Sequence, residues 1–401
     1  MAQHDSVTRR GFVGGIAILL VAIAGTGGAA EGTHFVWFGT YTGKNTGSEG
    51  IYVSRFDAER GTLSAPELAV AANNPSFLAV HPKLPVLYAV AETSTTGDTP
   101  SGAVLAFAID PSTGKLRPMN EQLSGGGGPC HLSVDRSGQV VVAANYGGGS
   151  SICLGLAADG SLKPVVTGTP GGFVQHVFDR AGDAGINPGR QEAPHAHSAD
   201  IAPDGRFAFV CDLGLDQVIV YALDGAKATI APHSTAHLKN GVGPRHFAMH
   251  PGGGFAYCVN EMDLSVTAFS FDPKTGSLTP LQTLSTLPEG VTDRKGFSCA
   301  EIAVHPTGRF VYASNRGHDT IAVFAVDEAT GRLTFRGVEP IRGKTPRHFA
   351  LSPDGRFLFA EGQASNTVAI FSVDPKTGML GFTDRSITVP APVSAVIRPI
   401  D

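Results

Sequence analysis

Between residues 74 and 364 the chain repeats one local pattern, and this repetition constrains its fold more than any other feature. The segments are NPSFLAVHPKLPVLYAVAET, GPCHLSVDRSGQVVVAANYG, PHAHSADIAPDGRFAFVCDLG, GPRHFAMHPGGGFAYCVNEMD, SCAEIAVHPTGRFVYASNRGH and TPRHFALSPDGRFLFAEGQA. Each has a polar start, an apolar run, a turn, a second apolar run and a polar end. A unit of this kind cannot bury its apolar faces alone, so neighbouring units must stack. The turn residue recurs as Pro82, Arg136, Pro203, Pro251, Pro306 and Pro353, with a further match at Pro399 in PVSAVIRP. Before it, period-2 alternation such as Phe77-Leu78-Ala79-Val80 predicts a half-buried strand. After it come a second strand, a polar turn, and a third strand such as Ala103 to Ile109. The D-x-x-T-G-x-L turns at Asp110, Asp272, Asp327 and Asp374 close the units. Three clear strands and a fainter fourth, repeating at roughly 40 to 50 residues, describe a propeller blade.

The termini complete the count. His34 to Leu63 supplies HFVWFGTYTG and GIYVSRFDAERGTL without an innermost strand, and the C-terminal PVSAVIRP supplies an innermost strand with nothing after it. Pairing the two makes a seventh blade and leaves no open sheet edge. The expectation is an all-β, seven-bladed β-propeller closed by its N- and C-terminal strands and occupying residues 31–401. Composition agrees: 51 glycines, 27 prolines and 16% charged residues in a chain of 401 suit many short strands joined by tight turns. A formal net charge of -5 without a basic cluster disfavours nucleic acid as a partner. The five cysteines (130, 153, 211, 258 and 299) are odd in number and unpaired by any CxxC, and most sit in apolar runs. They read as small hydrophobes rather than a disulfide framework or zinc site.

Residues 1–30 read as a twin-arginine-type signal peptide. Arg9-Arg10-Gly11-Phe12 precedes a short apolar run, Ile16 to Ala24, and Gly28-Ala29-Ala30 offers a cleavage site. The expected location is periplasmic or secreted, with no stable membrane association after cleavage; an uncleaved anchor is the alternative. The Gly-rich insert between Thr167 and Ala193 leads into PHAHS and is expected to lie over the mouth of the central channel.

In a propeller the start of each innermost strand and the end of the next strand meet at one face near the axis. Six residues before the turn residue, the leading slot holds Ser76, Cys130, His197, Arg245, Ala300, Arg347 and Val393. Ten residues after it, the trailing slot holds Glu92, Tyr146, Leu213, Glu261, Arg316 and Gln363. Scaffold positions should look alike from blade to blade, and these do not. By contrast, His81, His250 and His305 recur just before the turn proline, and His131, His246 and His348 recur just after the leading slot, which marks them as scaffold. Asn145, Asn260 and Asn315 likewise read as turn or channel hydrogen-bonding groups. One face thus collects an imidazole suited to proton transfer, guanidiniums suited to carboxylate or phosphate, and carboxylates among them. A ring of interblade salt bridges is the structural alternative. No HExxH or GxSxG occurs, so zinc-protease and serine-hydrolase readings lose support.

Taken in order, NPSFLAVHP, GPCHLSVD, ANYGGGS, PHAHS, DLGLDQV, GPRHFAMHP, VNE, CAEIAVHP, SNRGHDTIAVF and PRHFALSPDGRF resemble the seven-bladed propeller lactonases, over nearly everything after residue 34. That family includes the propeller-type bacterial 6-phosphogluconolactonase and, more distantly, the fungal carboxymuconate lactonizing enzyme. The resemblance implies hydrolysis of a sugar-type lactone, as a 6-phosphogluconolactonase-like carboxylic-ester hydrolase using no metal or organic cofactor. By analogy with the residues proposed in the fungal relative, it places the site at His197, Arg245, Glu261 and Arg316. His197 and Glu261 are then the catalytic candidates, either one activating water. Arg245 and Arg316 are expected to bind substrate, with Arg347 and Glu301 as secondary candidates beside the same funnel. An export signal sets the phosphorylated substrate in doubt more than the lactonase chemistry. A lactone-forming isomerase and a non-catalytic periplasmic binding propeller are the competing readings.

Overall fold

Seven antiparallel sheets follow one another along the chain in a computed structural model that describes residues 1–2, 33–165, 171–179 and 185–400. The export signal read from residues 1–30 falls almost wholly outside the described residues. The strands Leu78–Val80, Pro129–Val134, Ala196–Ile201, Pro244–Met249, Ser298–Val304 and Pro346–Leu351 each begin a sheet, and the next strands in sequence add outward one by one. Six of the blades therefore have four strands; the fourth, faint in the sequence, runs 8 or 9 residues in five of them and 3, Phe173–Gln175, in the other.

The closing blade is assembled from both ends of the chain. Pro392–Pro399 pairs antiparallel with Thr33–Thr40, from His34 opposite Pro399 to Thr40 opposite Pro392. Gly50–Asp57 adds next, and two short strands, Thr62–Leu63 and Glu67–Ala71, share its outer edge. Every inner strand edge of this blade is thus paired, as the complementary termini predicted.

Apolar residues pack between adjacent blades rather than inside any one of them. Val259, Val266 and Tyr257 of one blade, for example, meet Val311, Ala313 and Phe324 of the next. Hydrogen bonds then join the blades at points the repeat dictates. The buried Trp37 Nε1 donates to the Gly114 carbonyl (2.8 Å), and the Tyr88, Tyr257 and Tyr312 hydroxyls donate to Gly160, Gly331 and Gly378 (2.6, 3.1 and 2.9 Å). In each case an aromatic residue satisfies its polar atom in the turn of the following blade. Gly331 shows why that turn needs glycine: its φ is +68° and a Cβ there would lie 2.3 Å from the Phe255 ring.

The recurrent histidines prove to be connectors of the same kind. His81 Nδ1 accepts from the Lys83 and Leu84 amides while Nε2 lies 3.3 Å from the Gly138 carbonyl of the next blade. His250 and His305 reach Gly308 and Gly355 similarly, at 3.1 and 3.0 Å. Asn145, Asn260 and Asn315 donate to the Ser150, Ser265 and Thr320 hydroxyls at the start of the strands that follow theirs.

Candidate functional site

A register irregularity shapes the funnel. Where His197 stands, Ala196 pairs with Asp212 and Ser198 with Cys211, which leaves His197 as an extra residue without a cross-strand partner. The same bulge singles out Cys130, Arg245, Arg347 and Val393, and in Ser298–Val304 it spans Ala300 and Glu301. A bulge bends the strand and re-aims a side chain that regular pleating would direct elsewhere. Consecutive residues can therefore both serve the axis: Arg245 bonds Glu261 in the funnel, while His246 bonds Glu301 one layer beneath.

Glu261 is the centre of the funnel. Its Oε1 accepts from Arg190 Nη2 at 2.7 Å, and its Oε2 lies 3.0 Å from both Arg245 Nε and Arg316 Nη2. At 3% exposed, the residue has lost most of its hydration, which by itself raises a carboxyl pKa. Arg316, Arg245 and Arg190 outweigh that burial and hold the group at about 2. Arg245, only 1% exposed, is pushed down to about 10 by burial and by Arg347 and Arg316, so the guanidinium remains charged at neutral pH. Its Nη1 donates to the Ala300 carbonyl at 2.6 Å, and Arg316 Nη2 donates to the Cys299 carbonyl at 2.8 Å. The Arg316 Nε is buried without a partner among the described residues.

His197 Nε2 faces Glu261 Oε2 across 4.0 Å. Its Nδ1 side meets the buried Cys130 Sγ at 3.7 Å, and its ring meets the Tyr146 ring edge-on at 5.2 Å between centroids. Burial first, and then the positive field of Arg245, holds the His197 pKa well below the ordinary imidazole value. The resting ring is therefore neutral and can accept a proton. Glu261 is a poor acceptor by comparison, since both oxygens are engaged by guanidiniums.

Of the six candidate residues, the structure brings together His197, Arg245, Glu261 and Arg316. Arg347 lies on the same rim, its guanidinium 5.3 Å from the Tyr41 ring centroid, and that guanidinium donates no hydrogen bond to the described residues. Glu301 is placed differently from the expectation that it flanks the funnel. Its Oε2 lies 3.0 Å from His246 Nδ1 and 3.4 Å from His348 Nε2, in a layer where Phe77, His131, His246 and His348 fill the channel. Burial opposes ionisation there, but His246 and His348 hold Glu301 at about 2. Its oxygens are spent on the scaffold.

One feature escaped the repeat comparison. Arg190 belongs to the insert, which has no counterpart in other blades; besides Glu261 it reaches the Tyr146 hydroxyl at 3.2 Å. The insert is anchored on both sides of its undescribed residues. His176 Nδ1 lies 2.6 Å from Asp212 Oδ2, its Nε2 lies 3.0 Å from Ser151 Oγ and 3.1 Å from the Tyr221 hydroxyl, and Gln191 Nε2 donates to the Leu213 carbonyl at 2.8 Å. Ser151, His176 and Asp212 have the order of a hydrolytic triad, but all are buried, so they serve as a clasp. The only sequence signal for Arg190 was the direct passage of the insert into PHAHS. Glu92, which the repeat comparison places in a trailing slot without a role, is held by Tyr41 and Ser76 across the funnel. No group of three or more potential metal-ligating side chains occurs among the described residues.

Comparison with known proteins shows the family. The family model described as "Lactonase, 7-bladed beta-propeller" matches residues 35–397. The 6-phosphogluconolactonase of Bacillus subtilis (strain 168) is 37% identical over 315 residues, covering 78% of this chain and 83% of that protein. One from Formosa agariphila is 31% identical over 318 residues, covering 78% of this chain and 85% of that protein. Among solved structures, the Pseudomonas aeruginosa periplasmic gluconolactonase, PpgL, superposes with a TM-score of 0.82 at 32% identity, covering 92% of this chain and all of that one (100%).

Proposed function

The chain belongs to the seven-bladed β-propeller lactonase family, and from that premise we propose that it hydrolyses a sugar-type lactone to the open-chain acid, with His197 as the base. The observation that carries this assignment is the neutral, buried His197 beside an anionic Glu261 clamped by three guanidiniums. Water between His197 Nε2 and the lactone carbonyl loses a proton to the imidazole as its oxygen bonds to the carbonyl carbon. Arg245 and Arg316 are the donors available to the oxyanion, where preorganised charge acts most strongly. Glu261 stabilises the imidazolium as it forms. Collapse of the tetrahedral intermediate breaks the bond to the ring oxygen, and the imidazolium returns its proton to that leaving alkoxide. One water is consumed, one carboxylic acid and one hydroxyl result, and His197 is regenerated neutral.

The relatives from Bacillus subtilis and Formosa agariphila are named for a phosphorylated lactone, and the Pseudomonas aeruginosa protein for gluconolactone. Both lie within the class proposed. Export by the Arg9-Arg10 signal to the periplasm is part of the same reading, and the periplasmic Pseudomonas protein is a precedent within the family.

His197→Gln tests the assignment, because it retains approximate shape while removing the proton acceptor. On an aldonolactone panel kcat should fall by roughly 10²-fold or more, with a smaller change in KM. Dialysis of the wild type against a chelator should leave kcat unchanged. Wild-type turnover by a folded His197→Gln protein would remove His197 from the role of base.

A further inference from the structure

Completing the ring of trailing slots exposes a division of charge around the funnel. Tyr41 follows Thr40 on the closing blade as Glu92 follows Ala91 and Glu261 follows Asn260, so the seventh trailing slot is Tyr41. One arc, running from the blade of Tyr146 to that of Arg316 and completed by Arg190, sets three guanidiniums against the single carboxylate of Glu261. It has an excess of positive charge beside a neutral His197. The other arc, formed by Arg347, Tyr41, Ser76 and Glu92, has one guanidinium and one carboxylate and therefore no excess.

That second arc has its own internal order. The Tyr41 hydroxyl lies 3.0 Å from both Glu92 oxygens, and Ser76 Oγ donates to Glu92 Oε2. Arg347 sits over the Tyr41 ring at 5.3 Å and feels the charge of Glu92. Burial raises the Tyr41 pKa, which keeps its hydroxyl protonated as a donor. A carboxylate has about four lone-pair sites, so two hydroxyl donors leave Glu92 able to accept more. Hydroxyl donors on the ligand suit it, and anions do not.

We infer that Tyr41, Ser76, Glu92 and Arg347 form the subsite for the hydroxyl-bearing end of an unphosphorylated aldonolactone whose carbonyl lies across the funnel at His197. The inference rests on the hydrolytic reading above and narrows its substrate. The new carboxylate of the product forms in the arc with surplus guanidinium charge. A phosphate at the end remote from the carbonyl would instead bring roughly -1.5 to -2 charges against Glu92, in an arc whose single guanidinium is already matched. Sugar hydroxyls meet no such penalty and gain charge-assisted hydrogen bonds.

The test compares wild type and Glu92→Gln on glucono-1,5-lactone and its 6-phosphate, with gluconate binding measured by calorimetry on both proteins. Wild type should favour the unphosphorylated lactone in kcat/KM. Glu92→Gln should lower that value about tenfold, mainly through KM, and weaken gluconate binding, while 6-phosphate turnover rises as the repulsion is removed. Tyr41→Phe, which keeps the ring and leaves Glu92 charged, should weaken gluconate binding without raising 6-phosphate turnover. A wild-type preference for the 6-phosphate, or an unchanged ratio between the two substrates in Glu92→Gln, would overturn the subsite while leaving lactone hydrolysis standing. Failure of wild type to turn over either lactone, with gluconate binding still weakened by Glu92→Gln, would remove the hydrolytic reading and retain the subsite.

Discussion

Replacing Glu261 by Gln removes one negative charge from among three guanidiniums and should be felt in stability as well as turnover. The carboxyl is held at about 2 against an ordinary value of 4.5, and the residue is 3% exposed. That difference corresponds to roughly 3 kcal/mol in favour of the folded protein at neutral pH, comparable with the ~3–5 kcal/mol expected on breaking a buried ion pair. With an unfolding entropy of about 2.1 cal/mol/K per residue over some 370 folded residues, the loss should lower Tm by roughly 4 °C. The sign of the pH dependence follows from the depressed folded pKa. This stabilisation is present above the unfolded pKa, shrinks as pH falls from about 4.5 towards 2, and should be roughly 1.4 kcal/mol at pH 3. Thermal melts of wild type and Glu261→Gln by circular dichroism at pH 7 and pH 3 measure both quantities. Equal Tm values at pH 7, or a gap that does not narrow at pH 3, would refute the account of Glu261 as an anion stabilised by Arg190, Arg245 and Arg316. Activity should fall in parallel, because the variant also leaves Arg245 without its anionic partner and His197 without the charge that stabilises its protonated form.

Arg190→Gln should release the insert from Glu261 and raise KM several-fold with a smaller effect on kcat, since its exposed guanidinium closes the funnel rather than bearing on His197 (side-chain exposure 41%); steady-state kinetics that show a pure kcat loss would assign it a different role. Arg245→Lys retains charge but loses the planar fork that contacts both Glu261 and the Ala300 carbonyl, so kcat/KM should drop about tenfold or more, and a fully active variant would contradict the geometry. Deleting residues 392–401 removes the innermost strand paired to Thr33–Thr40 and should cause aggregation on size-exclusion chromatography; a monomer melting like the full chain would count against closure by the termini. Arg9 and Arg10 changed together to Lys should leave precursor in the cytoplasm on cell fractionation, and unaltered export would argue against a twin-arginine route.

Because a blade cannot bury its faces alone, the six internal repeats and the complementary end segments were sufficient to specify a seven-bladed ring from sequence. Slot comparison also picked out four side chains that meet at the mouth, because positions that repeat for packing reasons stay alike while His197, Arg245, Glu261 and Arg316 do not. Tertiary structure decided what has no periodic signature. The bulges that turn Arg245 and His246 to different layers are shifts of pairing register, and nothing in PRHFAM distinguishes such a strand from a regular one. Glu301 follows Ala300 in a similar bulge, and its carboxylate went to His246 and His348 because those imidazoles lie nearest in the buried layer. Arg190 reaches Glu261 from 71 residues away in the chain, carried by an insert that no other blade repeats. Tyr41 and Glu92 meet only because the closing blade lies beside the first. Sequence patterning determined what each strand buries, whereas the bulges, the insert and ring closure decided which polar groups face one another, because those contacts join residues far apart in the chain.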